Sequence, residues 1–170
     1  MEAKGRHSRG IESLNMPHET VPSGTSASQS LILSSTIRLY SRGEFYSENI
    51  TERVRGLVKS SGTYTGRVMI SVLHTTSAVF IIEHESGVLC DIRTCLRSVT
   101  SPANGFVHHR RNVDNNGRGH VLSALLSGSL SIPVFQHDTV LGEYQDIVFI
   151  DFQPHIRVRD VHVQIEGIEK

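Results

Sequence analysis

The chain has 170 residues, 38% hydrophobic and 20% charged, which is enough for one compact domain and too few for two ordinary ones. Lys plus Arg and Asp plus Glu balance at 17 each, so no basic surplus points to nucleic acid or to an acidic membrane surface. No apolar run approaches the length that spans a bilayer.

Residues 1 to 28 are rich in Ser, Gly, Pro, Thr and His, with isolated apolar residues and no period. Such a segment cannot bury enough surface to offset its ordering entropy, which predicts a disordered tail ahead of a single domain over residues 29 to 170. It lacks the apolar stretch of a secretory signal, and Glu2 and Glu12 argue against an organellar presequence, so the expected location is cytoplasmic.

Residues 31 to 40, LILSSTIRLY, have strand character. Residues 47 to 62 are helical by period, with Ser47 or Asn49 as cap, Ile50, Val54, Leu57 and Val58 in one stripe, and Gly62 as the stop. GRVMISVLH and AVFIIEH read as two strands separated by His74-Thr75-Thr76-Ser77. Residues 86 to 100 return to helical period with Val88, Leu89, Ile92, Cys95, Leu96 and Val99 facing inward. A polar loop from Ser101 to about Asn116 follows, then a short helix bounded by glycines, GRGHVLSALLSG. SLSIPVF, TVLGEYQ, DIVFIDF and IRVRDVHVQIEG complete the strands, with QHDT as a hairpin turn. Helices set into a mainly antiparallel set of strands predict the α+β class. Cys90 and Cys95 lie five apart on a helix, on different faces, and are expected to be reduced, buried thiols.

The chemistry-bearing candidates gather near element ends. Of ten histidines, His7 and His18 fall in the tail, His137 in a turn and His162 on an outward strand face. The candidates of interest are His74, His84, His108, His109 and His120, each near an element end or in the polar loop. No local spacing among them matches a known metal motif. If His74, His108 and His120 converge, three neutral imidazoles suit zinc or a similar divalent ion and leave a position open for water or substrate. Glu83 and Asp91 are candidates for a general base and an imidazole-orienting acid, with solvated or capping carboxylates as the alternative. Gly117-Arg118-Gly119 opens a helix, where free N–H groups and a guanidinium offer a seat for phosphate. Arg157 and Arg159 share one face of the last strand, as a solvated face also would.

The pieces LHTTSAVFIIEHESGVLCDI, HHRRNVDNNGRGHVLSALL, SLSIPV and LGEYQDIVFIDFQPHIRVRDVHVQI stand in an order and spacing that resembles the YjbQ-like family, from about Leu31 to Ile168. That family was long listed as uncharacterised and is described as having a secondary thiamine-phosphate synthase activity. The resemblance implies an α+β homotrimer with sites near subunit boundaries and a histidine-lined pocket like a divalent metal site. It places the family's motif on His74, Thr75 and Thr76, its strand glutamate on Glu83 and its helix aspartate on Asp91. Its loop histidine falls on His108, its helix histidine on His120, and its aromatic-Gln pair on Tyr144-Gln145. Where many members have Lys and Ser after the helix histidine, this chain has Leu122 and Ala124. Ser127 replaces a usual Gly, and Tyr144 stands where Trp is common.

The expectation is therefore a metal-assisted enzyme, with zinc or magnesium, acting on a phosphorylated small molecule. His74, His108 and His120 would hold the metal, and Glu83, Asp91 and His74 would serve the chemistry. Thr75, Thr76, Arg118, Gly119 and Gln145 would bind substrate. The alternative is a noncatalytic trimeric module that binds a metal or metabolite or scaffolds other proteins. Neither nucleic acid nor membrane is expected as a partner.

Overall fold

The computed structural model describes residues 30–101, 105–111 and 114–170, so the expected tail over 1 to 28 lies outside the described residues. Among the described residues, eight strands and three α-helices form an α+β arrangement. They are β1 (Ser30–Ser41), β2 (Tyr46–Asn49), α1 (Thr51–Ser60), β3 (Thr65–Val72), β4 (Ser77–Ile82) and α2 (Ser86–Val99). After these come α3 (Gly117–Leu126), β5 (Ser129–Phe135), β6 (Asp138–Thr139), β7 (Asp146–Asp151) and β8 (Arg157–Ile168). A 3₁₀ turn over Val107–Arg110 interrupts the polar loop.

Two antiparallel sheets result, one ordered β1-β8-β3-β5-β6 and the other β2-β7-β4. The five-stranded sheet follows from strict alternation. Val161, Val163 and Ile165 of β8 point inward beside Val68, Ile70 and Val72 of β3, while polar residues between them face out. On that outer face Arg67 meets Glu166 at 2.7 Å and Arg38 meets Asp160 at 2.9 Å. β7 is apolar without alternation because both its faces are covered. Ile147 and Phe149 join the core shared with the larger sheet and α1, while Ile150 joins Phe45, Ala78, Leu96, Leu122 and Phe152 beneath α2 and α3.

The helix over 47 to 62 starts later than its period implies. Ser47 belongs to β2, and Asn49 Oδ1 accepts the N–H of Thr51 at 3.0 Å to hold the first turn of α1. Gly62, at φ 75°, ends that helix as expected. Residues 140–145 form no strand; β6 is two residues long, and Gln145 Oε1 instead accepts Gly142 N–H at 2.8 Å to close a loop. α2 buries only Leu96, so Val99, Cys90 and Cys95 are exposed and the expectation of buried thiols is corrected. Its inward stripe exceeds what this single chain covers. No helix among the described residues is long and apolar enough to cross a membrane.

Candidate functional site

The interruption at residues 74 to 77 is the connection between β3 and β4, and its polar groups tie that turn to three other elements. Thr76 O accepts the N–H of Phe152 at 2.8 Å, just past β7. Thr75 O accepts a proton from His120 Nδ1 on α3 at 3.1 Å. His74 Nε2 accepts the N–H of Asp160 on β8 at 3.0 Å, and Thr76 Oγ1 accepts from Arg159 Nη2 at 3.2 Å. Ser77, fully buried, receives the Ser123 hydroxyl on its carbonyl at 2.7 Å.

Beneath the turn lies a buried ion pair that the sequence did not announce. Arg159 Nε and Nη2 donate to Asp151 Oδ2 and Oδ1, each at 2.9 Å, with the two side chains 6% and 0% exposed. Asp151 Oδ1 also accepts the N–H of Gln153 at 3.0 Å. A solvated face therefore does not describe this strand: Arg157 is exposed and Arg159 is buried. The signal available in sequence is an aspartate closing the apolar run DIVFID eight residues before an arginine.

Two clefts meet at Asn116. One, of about 300 Å³, is bounded by the His74–Thr76 turn, Arg157, Arg159 and Gln153, with Asp114 as its acid. The other, of about 240 Å³, has Phe106, His109, Phe152 and Pro154 as walls and Glu44 and Arg118 as charged groups. In the first cleft His74 is held neutral: burial lowers its pKa, and the Arg159 cation lowers it further. Because Nε2 is an acceptor, the proton of the neutral ring sits on Nδ1.

Arg118 and Gly119 line the second cleft, and protein groups take up part of the phosphate seat expected at the start of α3, while Arg118 Nε is buried there without a partner among the described residues. Arg118 Nη1 is paired with Glu44 at 2.9 Å, and the N–H of Gly117 donates to His109 Nε2 at 3.0 Å. Gly119 serves packing, since a Cβ there would lie 3.1 Å from Phe152 O and 3.2 Å from Thr76 Cβ. Leu122 is fully buried in the core under α3, so a lysine at this position would not reach either cleft.

The three imidazoles expected to share a metal separate in role. His108 and His120 stack edge to face with centroids 4.8 Å apart, and His108 Nε2 donates to Asn116 Oδ1 at 3.1 Å. His120 keeps its Nε2 lone pair, the tautomer a ligand needs. His74 does not fit: one nitrogen accepts a backbone N–H and the other carries the proton. Among the described residues no three His, Cys, Asp or Glu side chains converge into a set that could hold a metal ion. Glu83, Asp91 and Gln145 are exposed and line neither cleft. Glu83 and Gln145 stand by the Ile82–Asp146 end of the β4–β7 ladder, whereas the turn adjoins its Ser77–Asp151 end.

A family model described as UPF0047 protein YjbQ-like matches residues 35–168. A UPF0047 protein of Methanothermobacter thermautotrophicus is 36% identical over 119 residues, covering 70% of this chain and 81% of that one. Among solved structures, a YbjQ-like protein of unknown function from Sulfolobus solfataricus aligns with TM-score 0.77 and 27% identity, over 82% of this chain and 99% of its own. A hypothetical protein from Aeropyrum pernix aligns with TM-score 0.73 and 26% identity, over 79% and 98%.

Proposed function

The chain belongs to the YjbQ-like UPF0047 family, and on that footing we propose that it is an enzyme acting on a phosphorylated small molecule held in the cleft beside the His74–Thr76 turn. The observation that carries the reading is a buried guanidinium, Arg159, bordering a cleft that also has Arg157 and the protonated Nδ1 of a neutral His74. Cations and N–H donors converging in a partly desolvated hollow favour a phosphate or diphosphate.

By resemblance to thiamine-phosphate synthase, the reaction joins a pyrimidine-methyl carbon to the nitrogen of a thiazole phosphate as pyrophosphate departs. Arg157, Arg159 and His74 Nδ1–H would stabilise the charge growing on the leaving group. The neighbouring cleft, walled by Phe106 and Phe152, suits a planar ring. No step is routed through a metal, because His74 does not fit as a ligand. The test is to incubate the purified protein with both substrates and follow pyrophosphate by phosphorus NMR and thiamine phosphate by fluorescence. Product formation that Arg159→Ala abolishes is expected; absence of product together with no binding of pyrophosphate by calorimetry overturns the reading.

The assembly we propose is a homotrimer. Ile156 and Tyr40, 79% and 71% exposed, lie with Leu73 and Val158 around the same region and leave apolar surface for another copy to cover. Only another copy would bring Glu83 or Gln145 toward the cleft. Light scattering that returns a single-chain mass would contradict this. A cytoplasmic setting fits the two exposed, unpaired cysteines. The second reading, a noncatalytic module that binds a metabolite, is favoured by the exposure of Glu83 and Asp91 away from the clefts; pyrophosphate binding without turnover would select it.

A further inference from the structure

A buried ion pair is a weak stabiliser, since well-packed apolar residues in its place are often at least as good. The Asp151–Arg159 pair therefore needs another explanation, and its geometry supplies one. Asp151 engages two of the three guanidinium nitrogens, Nε and Nη2. Nη2 is engaged a second time by Thr76 Oγ1. The third nitrogen, Nη1, has no protein partner among the described residues and is not among the buried unpartnered atoms, while Arg159 itself borders the 300 Å³ cleft.

We propose that Asp151 is a positioning residue for the anion cleft: it locks the Arg159 guanidinium at two points and leaves Nη1 as a fixed donor for a phosphate oxygen. This rests on the reading of that cleft as a phosphate site. A free arginine on a strand would lose rotamer freedom on meeting a ligand; one held beforehand does not. Asp151 is placed for this task by its own backbone. Its carbonyl accepts the N–H of Phe45 at 2.7 Å, it closes β7, and its Oδ1 caps the turn at Gln153. Thr76 couples the same guanidinium to the turn that carries His74, so the two donors are aligned by one carboxylate.

The experiment is a calorimetric titration of inorganic pyrophosphate into the full chain, wild type and Asp151→Asn, with nitrogen NMR of the Arg159 side chain. Wild-type binding and a loss on the order of tenfold or more in Asp151→Asn are expected. The Arg159 Nη signals should shift with pyrophosphate while Nε–H stays in place. If Asp151→Asn does not fold, the wild-type NMR decides: an Arg159 unmoved by bound pyrophosphate, or an Nε–H that shifts with Nη, overturns the proposal. Equal binding by a folded Asp151→Asn overturns the positioning role alone. No binding by wild type overturns the phosphate reading and this inference with it.

Discussion

His74 takes the place of a strand. β3 ends at Val72, and two residues later the imidazole Nε2 accepts the Asp160 N–H of β8 at 3.0 Å. The ladder is thus extended by a side chain whose acceptor disappears when it is protonated.

That arrangement sets a pH dependence. Burial and the nearby Arg159 hold the folded pKa of His74 below its usual 6.5. As pH falls below about 6.5 the unfolded chain takes up a proton that the folded chain resists, so stability is lost from that point toward the lower folded value. Thermal melts should show a Tm that falls from pH 7 to pH 5, with a shallower fall in His74→Asn. An unchanged slope in that variant would remove His74 from the account.

The buried pair gives a second expectation. Asp151→Leu or Arg159→Met alone leaves one uncompensated buried charge and should cost about 3–5 kcal/mol in denaturant unfolding. The double variant should regain much of that loss yet bind pyrophosphate no better than either single variant. Full additivity of the two losses would mean that the groups act independently.

A third concerns position 122, on the buried side of α3. Leu122 is 0% exposed, packed among Phe45, Leu96 and Phe152. Leu122→Lys should therefore destabilise the fold by at least about 2 kcal/mol and leave pyrophosphate affinity no higher. Tighter binding in this variant would show that α3 sits differently when a ligand is present.

Two glycines should respond in opposite directions. Gly56 lies inside α1 with open space where a Cβ would stand, so Gly56→Ala should stabilise by about 0.5–1 kcal/mol. Gly66 faces Gly167 across the β3–β8 ladder, where a Cβ would overlap the Glu166 carbonyl. Gly66→Ala should unfold at lower denaturant than wild type; equal midpoints would show that the strands can spread.

What was legible in the sequence was whatever depends on local period. The alternation in VRDVHVQI and the helical stripe Ile50-Val54-Val58 appear where their patterns place them, and the turn expected over QHDT is tighter, since Asp138 and Thr139 already form β6. In TVLGEYQ the apolar residues mimic a strand, while the Gly142–Gln145 contact closes a loop. The site was legible in part: His74, Thr75 and Thr76 do border a cleft, and His108 does meet His120. The convergence of all three histidines was not, because a ring nitrogen that takes a backbone hydrogen bond is indistinguishable in sequence from one that takes a cation. Asp151 and Arg159 were opaque for a related reason. Each has an ordinary strand-end setting, and only the tertiary fold reveals that they face each other in the interior.

The pairing of β1 with β8 sets Ser30 opposite Ile168, so the first and last strands close the larger sheet side by side. Contacts across nearly the whole described length are the most expensive to form by diffusion, since the intervening loop must be closed before they stabilise anything. This seam is expected to zip late and to be the step that sets the folding rate. A circular permutant that bridges the two ends with a short linker and opens the chain in the exposed 140–145 loop would make the seam local, and should fold faster at little change in equilibrium stability.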